Sequence, residues 1–181
     1  MLSKARINEG PRTVRFLEGG AERLPVASQS ATLVLFLASF HHVPAAQMPE
    51  AMSEAYRVLS SGGRVLFIEP LVECSYYLIT RLVEEETEAR RHAQEAIEKA
   101  GALGFVQESE DFFYIERSFE DYCELLDTYW EESEQQKRAT LDHAEEIARK
   151  LAAGAGCTLD DYRFRSACRL NLLRKPEKAS G

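Results

Sequence analysis

Residues 31–70 constrain the fold more than any other part of the chain. ATLVLFLASF, residues 31–40, is an almost unbroken apolar run, as expected for a strand covered on both faces in a parallel sheet. From Met48 the apolar positions fall at Ala51, Met52, Ala55, Val58 and Leu59, the i, i+3, i+4 spacing of a helix with one buried face. Gly62-Gly63 follows, where a left-handed residue can close such a helix. RVLFIE, residues 64–69, then reads as a second buried strand. Strand, helix, turn and strand in that order form a βαβ unit with a parallel pair. Glu69 ends the second strand, at the carboxyl edge where α/β sheets collect ligands. It is either a substrate-site residue or an ordinary strand-end residue.

The rest of the chain is more helical. TVRFL, residues 13–17, alternates apolar and polar positions ahead of Gly19-Gly20 and predicts a short strand. Leu82, Glu86, Ala89, Ala93, Ala96, Ile97 and Ala100 mark one face of a long acidic helix that Gly101 and Gly104 terminate. The acidic run Glu84-Glu85-Glu86 suits the first turn of such a helix, whose dipole favours negative charge. FFYI, residues 112–115, is a candidate strand, Ser118 and Asp121 mark the start of a helix running through Tyr129, and a further helix covers residues 136–152. Residues 162–173 set Tyr162, Phe164, Cys168, Leu170 and Leu172 against Arg163, Arg165 and Arg169, which predicts a strand exposed on one side.

At 181 residues the chain fits one domain. A net charge of -8 argues against a nucleic-acid partner, because such binding draws its affinity from Lys and Arg meeting phosphates. The charged opening MLSKARINEG has no signal-peptide core, and no apolar run approaches the roughly 20 residues that cross a bilayer. Four cysteines without a C-x-x-C pair suit reduced thiols, so no membrane association and a cytoplasmic location are expected. The four histidines form no H-x-x-x-H pair, and no metal site is predicted.

The stretch EGGAERLPVASQSATLVLFLASFHHVPAAQMPEAMSEAYRVLSSGGRVLFIEP resembles the middle of the class I S-adenosylmethionine-dependent methyltransferases. Their pattern runs through a Gly-Asp-Ala-Glu-x-Leu-Pro turn, a strand ending near a histidine, and a helix ending Arg-Val-Leu-Lys-Pro-Gly-Gly. The closing LLRKP resembles the family's last strand, and MLSKAR resembles the segment that opens the helix after its second strand. The resemblance implies an incomplete Rossmann-like α/β fold, a mostly parallel sheet whose last strand is antiparallel. In that reading residues 1–181 are one domain: 1–70 matches the family core, 71–160 is a helical lid or insert, and 161–175 is the last strand. The chain is then expected to begin one strand-helix-strand unit into the fold, truncated relative to the family.

That unit carries the family's glycine-rich loop and the acidic residue that bonds the cofactor ribose. The only G-x-G here, Gly154-Ala155-Gly156, follows a helix and reads as a helix stop. The family's adenine-binding Asp falls on Gly20, and its Phe-Asp falls on Ala31-Thr32. Hydrogen bonds to charged groups contribute about 1.5–3 kcal/mol each, so losing the ribose and adenine carboxylates should weaken S-adenosylmethionine by roughly a hundredfold or more.

By resemblance, Gly20, Ala21, Glu22, Ser39 and Phe40 face the cofactor. Glu22 is otherwise a solvated turn residue. His41 is a general base or substrate contact, or else packs locally while His42 opens the next helix. Tyr114, with Phe112, Phe113, Phe119, Tyr122, Tyr129 and Trp130, covers a small-molecule acceptor, or else builds core or an oligomer contact. Without the preceding strands, residues 31–40 lie at a sheet edge, which predicts a homodimer or a methyltransferase-like partner subunit. The chain is then a methyltransferase with an impaired cofactor site, a non-catalytic pseudoenzyme module, or an α/β binding domain that uses the carboxyl-edge cleft for another ligand.

Overall fold

A computed structural model describes residues 14–73, 75–119, 142–152 and 163–177, together with 124 and 138. In chain order the elements are β1 (Ala31–Leu37), α1 (Met48–Val58), β2 (Leu59–Pro70), α2 (Ser75–Thr80), α3 (Thr87–Glu98), β3 (Val106–Ser118), α4 (Ala144–Ala152) and β4 (Arg163–Arg174). The four strands form one sheet in the order β1-β2-β4-β3. β1 and β2 are parallel, and β4 runs against both of its neighbours. Three strands therefore share a direction and the last is reversed, the mixed α/β sheet that the sequence predicts.

One face of this sheet carries the core. Phe36, Val65, Phe67 and Leu173 meet Ala51, Met52 and Ala55 of α1 and Ala93 and Ile97 of α3. The buried positions of α1 are Met48, Ala51, Met52, Ala55 and Val58, the periodicity read from the sequence. Alanines on both helices let them approach the strands closely. Phe36 and Phe67 stack at 5.0 Å, and Phe40 meets both rings edge-on at 5.1 and 5.0 Å. On the opposite face, Leu33, Leu35 and Leu37 of β1 stay more than half exposed.

Several elements differ from the sequence reading. Residues 14–17, part of the predicted strand 13–17, are not a strand and leave the β1 edge of the described sheet unpaired. Further along, Arg57 holds the stretch before β1 by donating to the carbonyls of Leu24 and Val26. Helix α1 ends by turning directly into an extended Leu59, so the glycines do not cap it. Gly62, at φ +75°, sits within β2 where the pairing with β1 slips from Ala31–Leu59 to Leu33–Arg64, and a side chain on Gly63 would come within 2.9 Å of the Ser60 carbonyl. The double glycine is a bulge in the strand.

The long helix is shorter than its apolar spacing suggests. It starts at Thr87 and passes at Lys99 into a 3-10 turn that Gly104, at φ +94°, terminates. Residues 71–160 are not only a lid: α3 packs in the core and β3 adds a thirteen-residue strand to the sheet. β4 is interior, and Arg169, expected on an exposed face, is buried between Glu98 at 3.1 Å and Glu110 at 2.9 Å. The predicted helix from Ser118 through Tyr129 falls almost wholly outside the described residues, as do Gly154–Gly156. Among the described residues no helix is long and apolar enough to cross a membrane.

Candidate functional site

β1 and β2 end side by side, and the chain leaves β1 through a sharp turn. Ala38 takes φ +44°, a left-handed conformation that costs a non-glycine residue about 1–2 kcal/mol. Its N–H donates to the Ile68 carbonyl at 2.8 Å, and residues 40–42 then form a single 3-10 turn. Unpaired N–H groups at the start of that turn need acceptors. Glu69, the penultimate residue of β2, supplies them: one carboxylate oxygen accepts from Ser39 N–H at 3.2 Å and Phe40 N–H at 2.9 Å. Its other oxygen lies 2.5 Å from His41 Nδ1.

The chain of charges continues outward. His41 Nε2 lies 3.5 Å from Glu86 Oε1, and His42 Nδ1 lies 3.7 Å from the same oxygen. Arg90 donates to the second Glu86 oxygen at 2.6 Å, spans to the Leu71 carbonyl at 3.1 Å, and lies 4.0 Å over the Tyr77 ring. The Tyr77 hydroxyl accepts the Glu86 backbone N–H at 2.9 Å, which fixes this residue at the start of α3. His41 is 5% exposed. Burial alone lowers its pKa, but the hydrogen bond to Glu69 and the nearby Glu86 carboxylate override that and raise it to about 9. Burial likewise works against the Glu86 carboxylate, yet the nearby His41 and the bonded Arg90 hold its pKa down to about 2.

Beside this chain is a cavity of about 160 Å³ between α3 and the ends of β2 and β4. Glu69, Leu71, Arg90, Gln94, Arg169 and Asn171 are in its wall. Asn171 is 2% exposed, and its side-chain Nδ2 has no hydrogen-bond partner among the described residues. A buried donor left unpaired costs about 1–3 kcal/mol, so this amide is a group awaiting an acceptor.

Of the residues singled out in the sequence, Ser39, Phe40, His41 and Glu69 come together here, while the others do not. The Phe40 ring is wholly buried in the core, and only its backbone reaches the site. Gly20, Ala21 and Glu22 form a turn against α1, where Glu22 shares a shallow cleft with Glu50 and Glu54. Tyr114 is 64% exposed on β3, opposite Ala167, and Phe112 is similarly exposed. Phe119 stacks on Tyr76, and Tyr122, Tyr129 and Trp130 lie outside the described residues. Sequence reasoning missed His42, Glu86, Arg90, Arg169 and Asn171. Glu86 and Arg90 had one visible signal, acidity and arginine at the start of a helix, which reads as dipole compensation.

The groups placed toward the cofactor by resemblance do not by themselves form a holding site for S-adenosylmethionine. The N–H groups of Ser39 and Phe40 are committed to Glu69. A Cβ built on Gly20 would fall 2.2–2.5 Å from the Glu22 carboxyl group, so that group lies over its own turn.

Residues 1–67 match the family model described as a methyltransferase domain. The chain is 32% identical over 108 residues to the ubiquinone/menaquinone biosynthesis C-methyltransferase UbiE of Bartonella bacilliformis, covering 52% of this chain and 41% of that protein. It therefore spans well under half the length of this curated relative. Among solved structures, a candidate methyltransferase from Bacillus halodurans C-125 superposes with a TM-score of 0.63 at 20% identity, covering 97% of this chain and 78% of that one. The YcgJ protein of Bacillus subtilis gives 0.57 at 19%, with 97% and 77% covered. The cyclase SpnF gives 0.51 at 14%, with 97% and 61% covered. At these identities the likeness to solved structures is one of fold. Sequence over the first 67 residues and fold across the sheet point the same way: the chain carries a stretch similar to the methyltransferase-domain family and shares the fold of these solved structures.

Proposed function

We propose that this chain forms the acceptor side of a methyl-transfer site for a small molecule, and that its own hold on S-adenosylmethionine is weak. The observation that carries this reading is the Glu69 clamp beside the cavity. One carboxylate fixes the turn after β1 and borders a space whose wall also includes Asn171, the residue with the unpaired buried amide nitrogen. Positioning is what a methyl transfer chiefly needs, since the sulfonium already carries an activated group. Asn171 would donate to an oxygen of the acceptor, and Leu71 and Ile97 would exclude water from it. His41, an imidazolium at neutral pH in this arrangement, holds its protons between Glu69 and Glu86 and suits charge placement better than proton abstraction.

Calorimetry of the purified chain with S-adenosylhomocysteine tests the cofactor half of the proposal. Heats too small to fit a micromolar constant are expected. Micromolar binding would overturn the weak-hold reading.

A second reading, a non-catalytic module that joins another subunit, is favoured by β1. This edge strand bears no charge, and Leu33, Leu35 and Leu37 are exposed along it. Such an edge is a ready template for another chain. Sedimentation at micromolar concentration would then show a dimer or larger assembly, and a clean monomer would count against it.

A further inference from the structure

Two imidazoles and a carboxylate meet where α3 begins. His41 keeps Nδ1–H on Glu69, its Nε2 lies 3.5 Å from Glu86 Oε1 and becomes a ligand lone pair when a metal ion displaces its proton, and His42 Nδ1 lies 3.7 Å from the same oxygen. Both separations are long for hydrogen bonds. They match another geometry: ligands about 2.0–2.1 Å from a tetrahedral ion lie about 3.3–3.4 Å apart. The three donor atoms all lie within 4.8 Å of one another.

We propose that His41 Nε2, His42 Nδ1 and Glu86 Oε1 form a binding site for a divalent transition-metal ion of the zinc class, with the fourth position open. The surroundings are those a bound cation requires. Glu69 accepts from the other nitrogen of His41, fixing its tautomer and ring orientation, the usual partner of a metal-bound histidine. Arg90 holds the other oxygen of Glu86, leaving Oε1 to face the imidazoles. Two carboxylates against one guanidinium leave one negative charge unbalanced when both imidazoles are neutral. Access comes from His42, whose side chain is 60% exposed, while His41 and Glu86 are largely shielded. Two imidazoles with one carboxylate suit zinc, iron, cobalt or nickel and not the harder calcium or magnesium. Glu69 and Arg90 also wall the cavity, so an ion here would lie beside the space assigned to the acceptor. The site stands on these side chains alone and is independent of cofactor binding.

The test is titration of the tag-free full chain with zinc chloride by calorimetry, and with cobalt(II) by visible absorption. One ion per chain is expected, with cobalt giving the intense bands of four-coordination. The His42→Ala variant removes an exposed side chain and leaves the fold intact. It should weaken zinc by at least about tenfold, as should Glu86→Gln. His143→Ala, which removes a histidine 3.8 Å from Glu146 on a different helix, should leave binding unchanged. The proposal is overturned if the chain takes up no stoichiometric zinc, if His42→Ala binds as tightly as the parent, or if binding is lost with His143 instead.

Discussion

Glu69 shows how much one side chain can organise. Its carboxylate joins the end of β2 to the turn after β1, and through His41 it reaches the start of α3. The raised pKa of His41 has a definite consequence for stability. A group whose folded pKa of about 9 exceeds its ordinary 6.5 contributes stability that is complete below pH 6.5 and is lost as pH rises through 9. Urea unfolding in the presence of a chelator should therefore show stability falling across that window, and His41→Gln should flatten the fall. Asn171 gives the opposite kind of test. Replacing its unpaired buried amide by the similarly sized Asn171→Leu should raise stability by about 1 kcal/mol in the same assay, while closing the cavity to polar ligands.

At the level of elements, the sequence identified both parallel strands and, through i, i+3, i+4 spacing, the buried face of α1. The apolar run of β1 predicted burial on both faces, but only Phe36 in it is buried, because β1 lies at the edge of the described sheet. The sequence also misplaced the double glycine. Composition shows that residues 62 and 63 can adopt unusual backbone, but whether they cap a helix or bulge a strand depends on what β1 pairs with. Gly62→Ala tests the bulge. Its φ of +75° leaves room for a methyl group but strains the backbone, so a loss of about 1–2 kcal/mol is expected in thermal or urea unfolding. The exposed face of β1 belongs to the same scale. Leu35→Lys should change the stability of the chain by less than about 0.5 kcal/mol, since Leu35 is 52% exposed, yet abolish any self-association seen by sedimentation.

Across the whole molecule, the two edges of the sheet differ in kind. β3 carries Glu108 between Arg64 and Arg174, and Glu110 against Arg169, charges that discourage pairing with another chain. β1 carries none. Helices α1 and α3 pack on the face of Phe36 and Phe67, and the aliphatic side of β1 is left open among the described residues. This asymmetry, more than any single residue, supports the reading that the chain works against a second surface.

The sequence by itself determined the βαβ unit and the candidacy of Glu69, and its resemblance to class I methyltransferases implied the reversed last strand and the candidacy of His41. These follow from local periodicity and from motifs contiguous in the chain. Tertiary structure decided which candidates form a site. Glu86 is distant in sequence from His41, yet it comes within reach because Tyr77 pins the start of α3 beside the turn after β1. Arg169 and Asn171 line the cavity because β4 inserts between β2 and β3. Strand order and helix docking set those distances, and neither is written in the spacing of residues along the chain.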